Sequence, residues 1–147
     1  MYIKSFDELT FQDNFIFQKV MLKKHICKAV LERLLDISIK DIVYIHEEKN
    51  LDVRWDSKSV RLDVFVNDDK GTVFNIEMQT SKDMEELVKR TRFYQSILDM
   101  YHIQKGQKYT TLNDSYVIFI CTFPVFTGNR HKYTFKNVCI EDHDIAL

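Results

Sequence analysis

The chain has 147 residues, 21 Lys or Arg against 22 Asp or Glu, and a net charge near −1. That length suits one domain with a sizeable core, and the charge balance excludes a protein that grips nucleic acid by bulk charge, leaving only a local basic stripe. At 45% apolar and 13% aromatic, with 3 Gly and 1 Pro, the composition is globular, and no apolar run approaches the roughly 18 residues of a membrane span. The opening MYIKSFDELTFQDNF is unlike a signal peptide. Cys27, Cys121 and Cys139 are odd in number and lack CxxC spacing, which argues against a disulfide framework or structural zinc and points to a reducing cytoplasm.

Phe15 to Leu35 reads as one long helix with Asp13 as its N-cap, because Phe17, Val20, Met21, Ile26, Val30, Leu31, Leu34 and Leu35 recur at steps of three and four. Ile42 to His46 is β-branched and aromatic, a first strand. Two period-2 runs follow. Val60, Leu62, Val64 and Val66 alternate with Arg61, Asp63, Phe65 and Asn67, and Phe74, Ile76 and Met78 alternate with Val73, Asn75, Glu77 and Gln79. They flank a D-D-K-G turn and predict a β-hairpin.

Register follows from parity. Directly opposed residues share a face, so Val64 and Ile76 meet in the core only if paired numbers add to an even total. A loop of Asp69, Lys70 and Gly71 closed by Asn67–Val73 and Asp68–Thr72 pairs meets that condition and puts Gly71 where a left-handed residue is wanted. Asp63 then faces Glu77 across the hairpin on the non-core face, with Gln79 two residues on.

Lys82 to about Gln104 reads as a second helix with an apolar stripe of Leu87, Phe93, Tyr94, Ile97, Leu98 and Tyr101, stopped by Gly106. Tyr116 to Phe123 is continuously apolar, a strand buried on both faces, and His131 to Ile140 looks like another. The order α-β-β-β-α-β predicts a single α/β domain over 1–147, a mixed sheet flanked by helices.

Opposed carboxylates repel by some tenths to about 1 kcal/mol and persist only with compensation, such as a basic side chain, a shared proton or a divalent cation. Asp63, Glu77 and the Met78 carbonyl offer oxygen ligands of the kind Mg²⁺ prefers, with open positions for phosphate and water. The plain alternative is two carboxylates solvating the outer face of a hairpin.

The string RLDVFVNDDKGTVFNIEMQT, with Asp63-x13-Glu77-x-Gln79 between two helices, resembles the D-(D/E)-x-K motif of restriction-endonuclease-like domains. It is similar, more specifically, to the PD-(D/E)XK family of transposases and recombination-promoting nucleases. DNFIFQKVM (Asp13, Phe17), RTRFYQSIL (Arg90, Tyr94) and YTFKNVCIED extend the likeness along essentially the whole chain. The resemblance implies a restriction-endonuclease-like core and an endonuclease that cuts DNA with Mg²⁺, or Mn²⁺ in its place. Asp63 and Glu77 correspond to the metal-binding pair. Gln79 stands where many relatives have lysine; the family carries this variant, and the amide would orient the attacking water. Arg90 or Lys89 would supply the missing positive charge. Family members usually continue into a helical C-terminal region, so a chain ending at Leu147 reads as a fragment or a shortened frame. Two-strand scission would need a homodimer, and neither membrane nor small-molecule cofactor is implied. The competing reading is an inactive nuclease-fold remnant that binds DNA or protein.

Other residues divide less sharply. Lys82, Lys89, Arg92, Lys105 and Lys108 are phosphate contacts or a solvated surface. Asp13 is an N-cap or an approach to the metal from helix 1, in equal measure. Glu47 and Glu48 end the first strand, one of them facing the site or both in solvent. His25, His46, His102, His131 and His143 have no metal-ligand spacing. Cys27 and Cys121 read as core thiols, Trp55 as a loop lid or a base-stacking residue, and no P-loop is present.

Overall fold

The structure is a computed structural model that describes residues 5–51 and 60–146. One four-stranded sheet has the order β1-β2-β3-β4, with β1 (Ile42–Leu51), β2 (Val60–Asp68), β3 (Val73–Gln79) and β4 (Ser115–Cys121). β1, β2 and β3 pair antiparallel, and β4 lies parallel to β3. A parallel pair needs a crossover, and α3 (Met84–His102) supplies it. α1 (Asn14–Met21) and α2 (Lys24–Leu35) precede the sheet. Phe17, Met21, Cys27 and Leu31 from these helices bury against Val64, Val66, Phe74 and Ile76. On the other face Tyr94, Ile97 and Leu98 of α3 pack on Phe65, Val73, Val117 and Phe119. This is the mixed, helix-flanked α/β sheet of a restriction-endonuclease-like core.

The hairpin has the predicted register. Its pairs run from Asn67↔Val73 to Val64↔Ile76, and Gly71 sits at φ +83°. Asp68 N–H donates to the Thr72 carbonyl at 3.2 Å, and the Asp68 carboxylate closes the loop by accepting N–H groups from Lys70 (2.9 Å) and Thr72 (2.8 Å).

Elsewhere the structure corrects the sequence reading. The first long helix is two, parted at Leu22 and Lys23, where Lys23 takes an extended conformation (ψ 105°). Successive residues advance by about 100° around a helix, so an unbroken one would carry Cys27 well off the Phe17–Met21 face, and the break restores it to the same core. Asp13 occupies the N-cap position without capping; its carboxylate accepts from the Thr10 N–H (2.7 Å) and hydroxyl (3.1 Å) instead. β1 runs on to Leu51, so Glu47 lies inside it. α3 starts at Met84, with the Asp83 carboxylate accepting the Glu86 N–H, and its Phe93 and Tyr101 are exposed. β4 is half-buried along its length because it is an edge strand. Residues 131–140 form no strand: with no ladder partner among the described residues, they make one isolated bridge, Val138↔Ala146, and Phe126 packs on Tyr133 and Phe135.

Candidate active site

Strict alternation would put Leu62 on the face of Val64 and Val66. Those two valines do join the α1–α2 core, but Val60 and Leu62 pack with Leu51 and Phe65 against α3. The two-residue period therefore slips at Asp63, and β1 turns with β2, since Glu47↔Val64 and Lys49↔Leu62 keep one count. Beyond the Val64↔Ile76 pair, side chains take over the ladder. Asp63 N–H donates to Glu77 Oε1 at 3.0 Å, and Met78 N–H donates to Asp63 Oδ2 at 3.1 Å. The two acids do meet, though not as the directly opposed ladder pair expected: the pairing ends at Val64↔Ile76, and a reciprocal bracket joins them at the fork of β2 and β3. The N–H and C=O of one strand residue point to the same side. Met78 N–H faces Asp63 while the Gln79 carbonyl accepts from Thr122 on the β4 side (3.1 Å), so the Met78 carbonyl is directed to the Asp63 side.

The face expected to be solvated is covered by α3, and Glu77 is only 3% exposed. Burial, and then the negative charge of Asp63, raise its pKa from the ordinary 4.5 to about 8; the Asp63 N–H and the Arg90 guanidinium oppose that rise. Arg90, 26% exposed, reaches down from α3 to tie the site together. Its Nη1 donates to Gln79 Oε1 (2.8 Å), and its Nη2 to Tyr94 Oη (3.1 Å) and to Glu77 Oε2 (3.5 Å). The guanidinium also lies 5.2 Å from the ring centroids of Tyr94 and Phe119. The Gln79 amide group donates to the Ser81 carbonyl (2.7 Å) and hydroxyl (3.0 Å), which leaves its oxygen toward Arg90. The sequence pairs Tyr94 with Arg90 through the family likeness and their step of four along the helix but gives it no role at the site, and Ser81 is not singled out at all; the spacing Gln79-x-Ser81 was the available signal.

The arrangement collects Asp63, Glu77, Met78, Gln79 and Arg90 in one place. Lys89 is left out, since it pairs with Glu85 at 2.5 Å on the surface. Lys82, Arg92, Lys105 and Lys108 are exposed. Glu47 pairs with Lys19 at 2.8 Å, while the Glu48 side chain and Trp55 lie outside the described residues. Asp13 lines a cleft of about 340 Å³ with Gln12, Asn14, Met78 and Thr80, so the start of α1 borders the Met78 end of the fork. Cys27 is buried, with its thiol pushed up to about 12 by burial, and Cys121 is half-buried. Among the described residues no group of three or more His, Cys, Asp or Glu could hold a metal, and no helix is long and apolar enough to cross a membrane. The donors at the fork are two carboxylates and a main-chain carbonyl, hard oxygens that fit a cation such as Mg²⁺ or Mn²⁺ keeping several waters.

A family model described as PD-(D/E)XK nuclease family transposase matches residues 12–145 of the chain. No curated protein and no solved structure matches it.

Proposed function

The chain belongs to the PD-(D/E)XK nuclease transposase family, which gives it a nuclease-like role, and we propose that it is a metal-dependent endonuclease that hydrolyses phosphodiester bonds in DNA. The observation that carries this reading is the bracket at the fork, where each acid accepts a backbone N–H across the hairpin. That geometry fixes two carboxylates side by side; burial, and then the Asp63 charge, raise the pKa of Glu77, and a divalent cation would relieve the repulsion between the pair.

On this reading Asp63, Glu77 and the Met78 carbonyl hold Mg²⁺ or Mn²⁺. When bound, the ion polarises the phosphoryl oxygen and acidifies the attacking water. Gln79 Oε1 has two lone pairs; one takes the Arg90 N–H and the other accepts a proton of that water and aims it. Arg90 has five N–H donors, of which Gln79, Glu77 and Tyr94 engage only part, and the remainder bind the phosphate. Its charge stands in for the lysine that other family patterns place at position 79. Cutting both strands calls for two copies, and the free thiols of Cys27, Cys121 and Cys139 suit a reducing cytoplasm.

Cleavage of supercoiled plasmid in Mg²⁺, Mn²⁺ or EDTA tests the proposal. Nicking that needs the cation and disappears in Asp63→Ala and Glu77→Ala is the expected result. A folded wild type that cuts nothing would favour the remnant reading, and activity surviving in both variants would put the chemistry elsewhere.

A further inference from the structure

β3 carries another polar side chain in line with Glu77, and the fold does not account for it. Asn75 is 0% exposed, with Phe65 and Val117 as its ladder neighbours, both packed in the α3 core. Neither its amide nitrogen nor its amide oxygen has a hydrogen-bond partner. Among the described residues only Gln18 shares this condition, and there only the nitrogen is unpaired. Leucine has nearly the same shape and would fill such a position without stranding a polar group.

Residues two apart on a strand project from the same face, with Cα atoms about 7 Å apart, so the Asn75 amide stands next to the Glu77 carboxyl. The present supports of that carboxylate are the Asp63 N–H at Oε1 and Arg90 at 3.5 Å from Oε2. A divalent cation at the fork would repel the guanidinium and loosen the second of these. A neutral donor suffers no such repulsion.

Resting on the metal-site reading above, we infer that Asn75 is a positioning residue for Glu77. Its Nδ2–H donates to the Glu77 carboxylate when a divalent cation is bound, and so holds the carboxylate against the ion as Arg90 withdraws. Removing a hydrogen-bond partner of a metal ligand typically weakens metal binding about 10- to 100-fold.

The test is Mn²⁺ titration by calorimetry of the full chain, beside a urea melt in EDTA, for wild type, Asn75→Leu and Asn75→Ala. The expected result is a urea midpoint for Asn75→Leu at or above that of wild type, with Mn²⁺ bound at least about 10-fold more weakly. Asn75→Ala, which removes the donor without adding bulk, should show the same weakening if the leucine variant fails to fold. Mn²⁺ affinity within twofold of wild type in a folded variant would overturn the inference. So would loss of folding in both variants, which would make the amide a structural element. A wild type that binds no Mn²⁺ would overturn the metal reading itself, and this inference with it.

Discussion

Glu77→Gln isolates the electrostatic strain at the fork, because glutamine keeps the shape and carries no charge at any pH. In the folded chain the Glu77 pKa is raised to about 8 against an ordinary 4.5. Between those values the folded state holds a proton that the unfolded state has released, so stability falls as pH rises. The contribution is fully present below about 4.5 and is lost through about 8. The slope reaches about 1.4 kcal/mol per pH unit, which accumulates to about 3–4 kcal/mol between pH 5 and pH 8. For a domain of this size that is a large fraction of a total of roughly 5–15 kcal/mol. Glutamine can still accept the Asp63 N–H through its oxygen. Its amide group then faces Arg90, which retains Gln79 and Tyr94.

Urea melts at fixed pH values from 5 to 9, in EDTA, measure the difference directly, since other titrating groups are common to both chains and largely cancel. The two proteins should have nearly equal stability at pH 5, and the variant should lead by about 3–4 kcal/mol at pH 8. A saturating divalent cation at pH 8 should stabilise wild type and not the variant. A difference that stays constant with pH, or a variant weaker than wild type at pH 8, would refute the burial-and-repulsion account of Glu77.

Cation binding displaces the Glu77 proton, so Mn²⁺ affinity measured by calorimetry should rise about tenfold per pH unit below about 8 and level off above it. Arg90→Ala removes a charge that touches both Gln79 and Glu77, and plasmid nicking should fall about 10²–10³-fold while the circular dichroism stays that of wild type. Gln79→Lys should lower nicking, not raise it, because the new ammonium would replace the oxygen that accepts from Arg90 Nη1 at 2.8 Å with a second cation facing the guanidinium; a variant more active than wild type would contradict this. Gly71→Ala forces a side chain into a φ of +83° with its Cβ 2.8 Å from Asn113 Nδ2, and a urea melt should show a loss of about 1–2 kcal/mol.

The hairpin was legible because two independent constraints agreed: apolar parity demanded an even register, and Gly71 could close only one loop of that kind without strain. That register was enough to bring Asp63 to Glu77. The slip at Asp63 left no trace in the pattern, since Val60, Leu62, Val64 and Val66 alternate without a break and all four are buried whichever helix covers them. Likewise Asn75, Glu77 and Gln79 read as a solvated face because they are polar. Alternation records only polarity, and cannot report that α3, joined through a short turn after Gln79, folds back over that side. The break at Lys23 carries neither proline nor glycine and serves the packing of Cys27, a tertiary demand with no local signature. His131 to Ile140 failed for the opposite reason: its alternation is adequate for a strand, but no ladder partner is at hand among the described residues.

The substitution of an amide for lysine at position 79 takes on a physical logic once Arg90 is considered with it. A lysine on β3 would present its charge from the same strand as Glu77, and a second cation beside the half-buried guanidinium would be repelled. Here the charge comes from the facing helix. It is held 5.2 Å from two aromatic rings, by the hydroxyl of Tyr94 and by the oxygen of Gln79. That oxygen is turned toward Arg90 because Ser81 occupies the amide nitrogen. A lysine in place of Gln79 would lose the Arg90 end of this link, since it has no acceptor for the guanidinium. Gln79 and Arg90 therefore behave as one unit, with the acceptor on the strand and the charge on the helix. The same guanidinium that helps Glu77 ionise would be pushed back by a cation arriving at the fork. On the proposed function that movement turns Arg90 from a support for the empty acid pair into a donor for the phosphate.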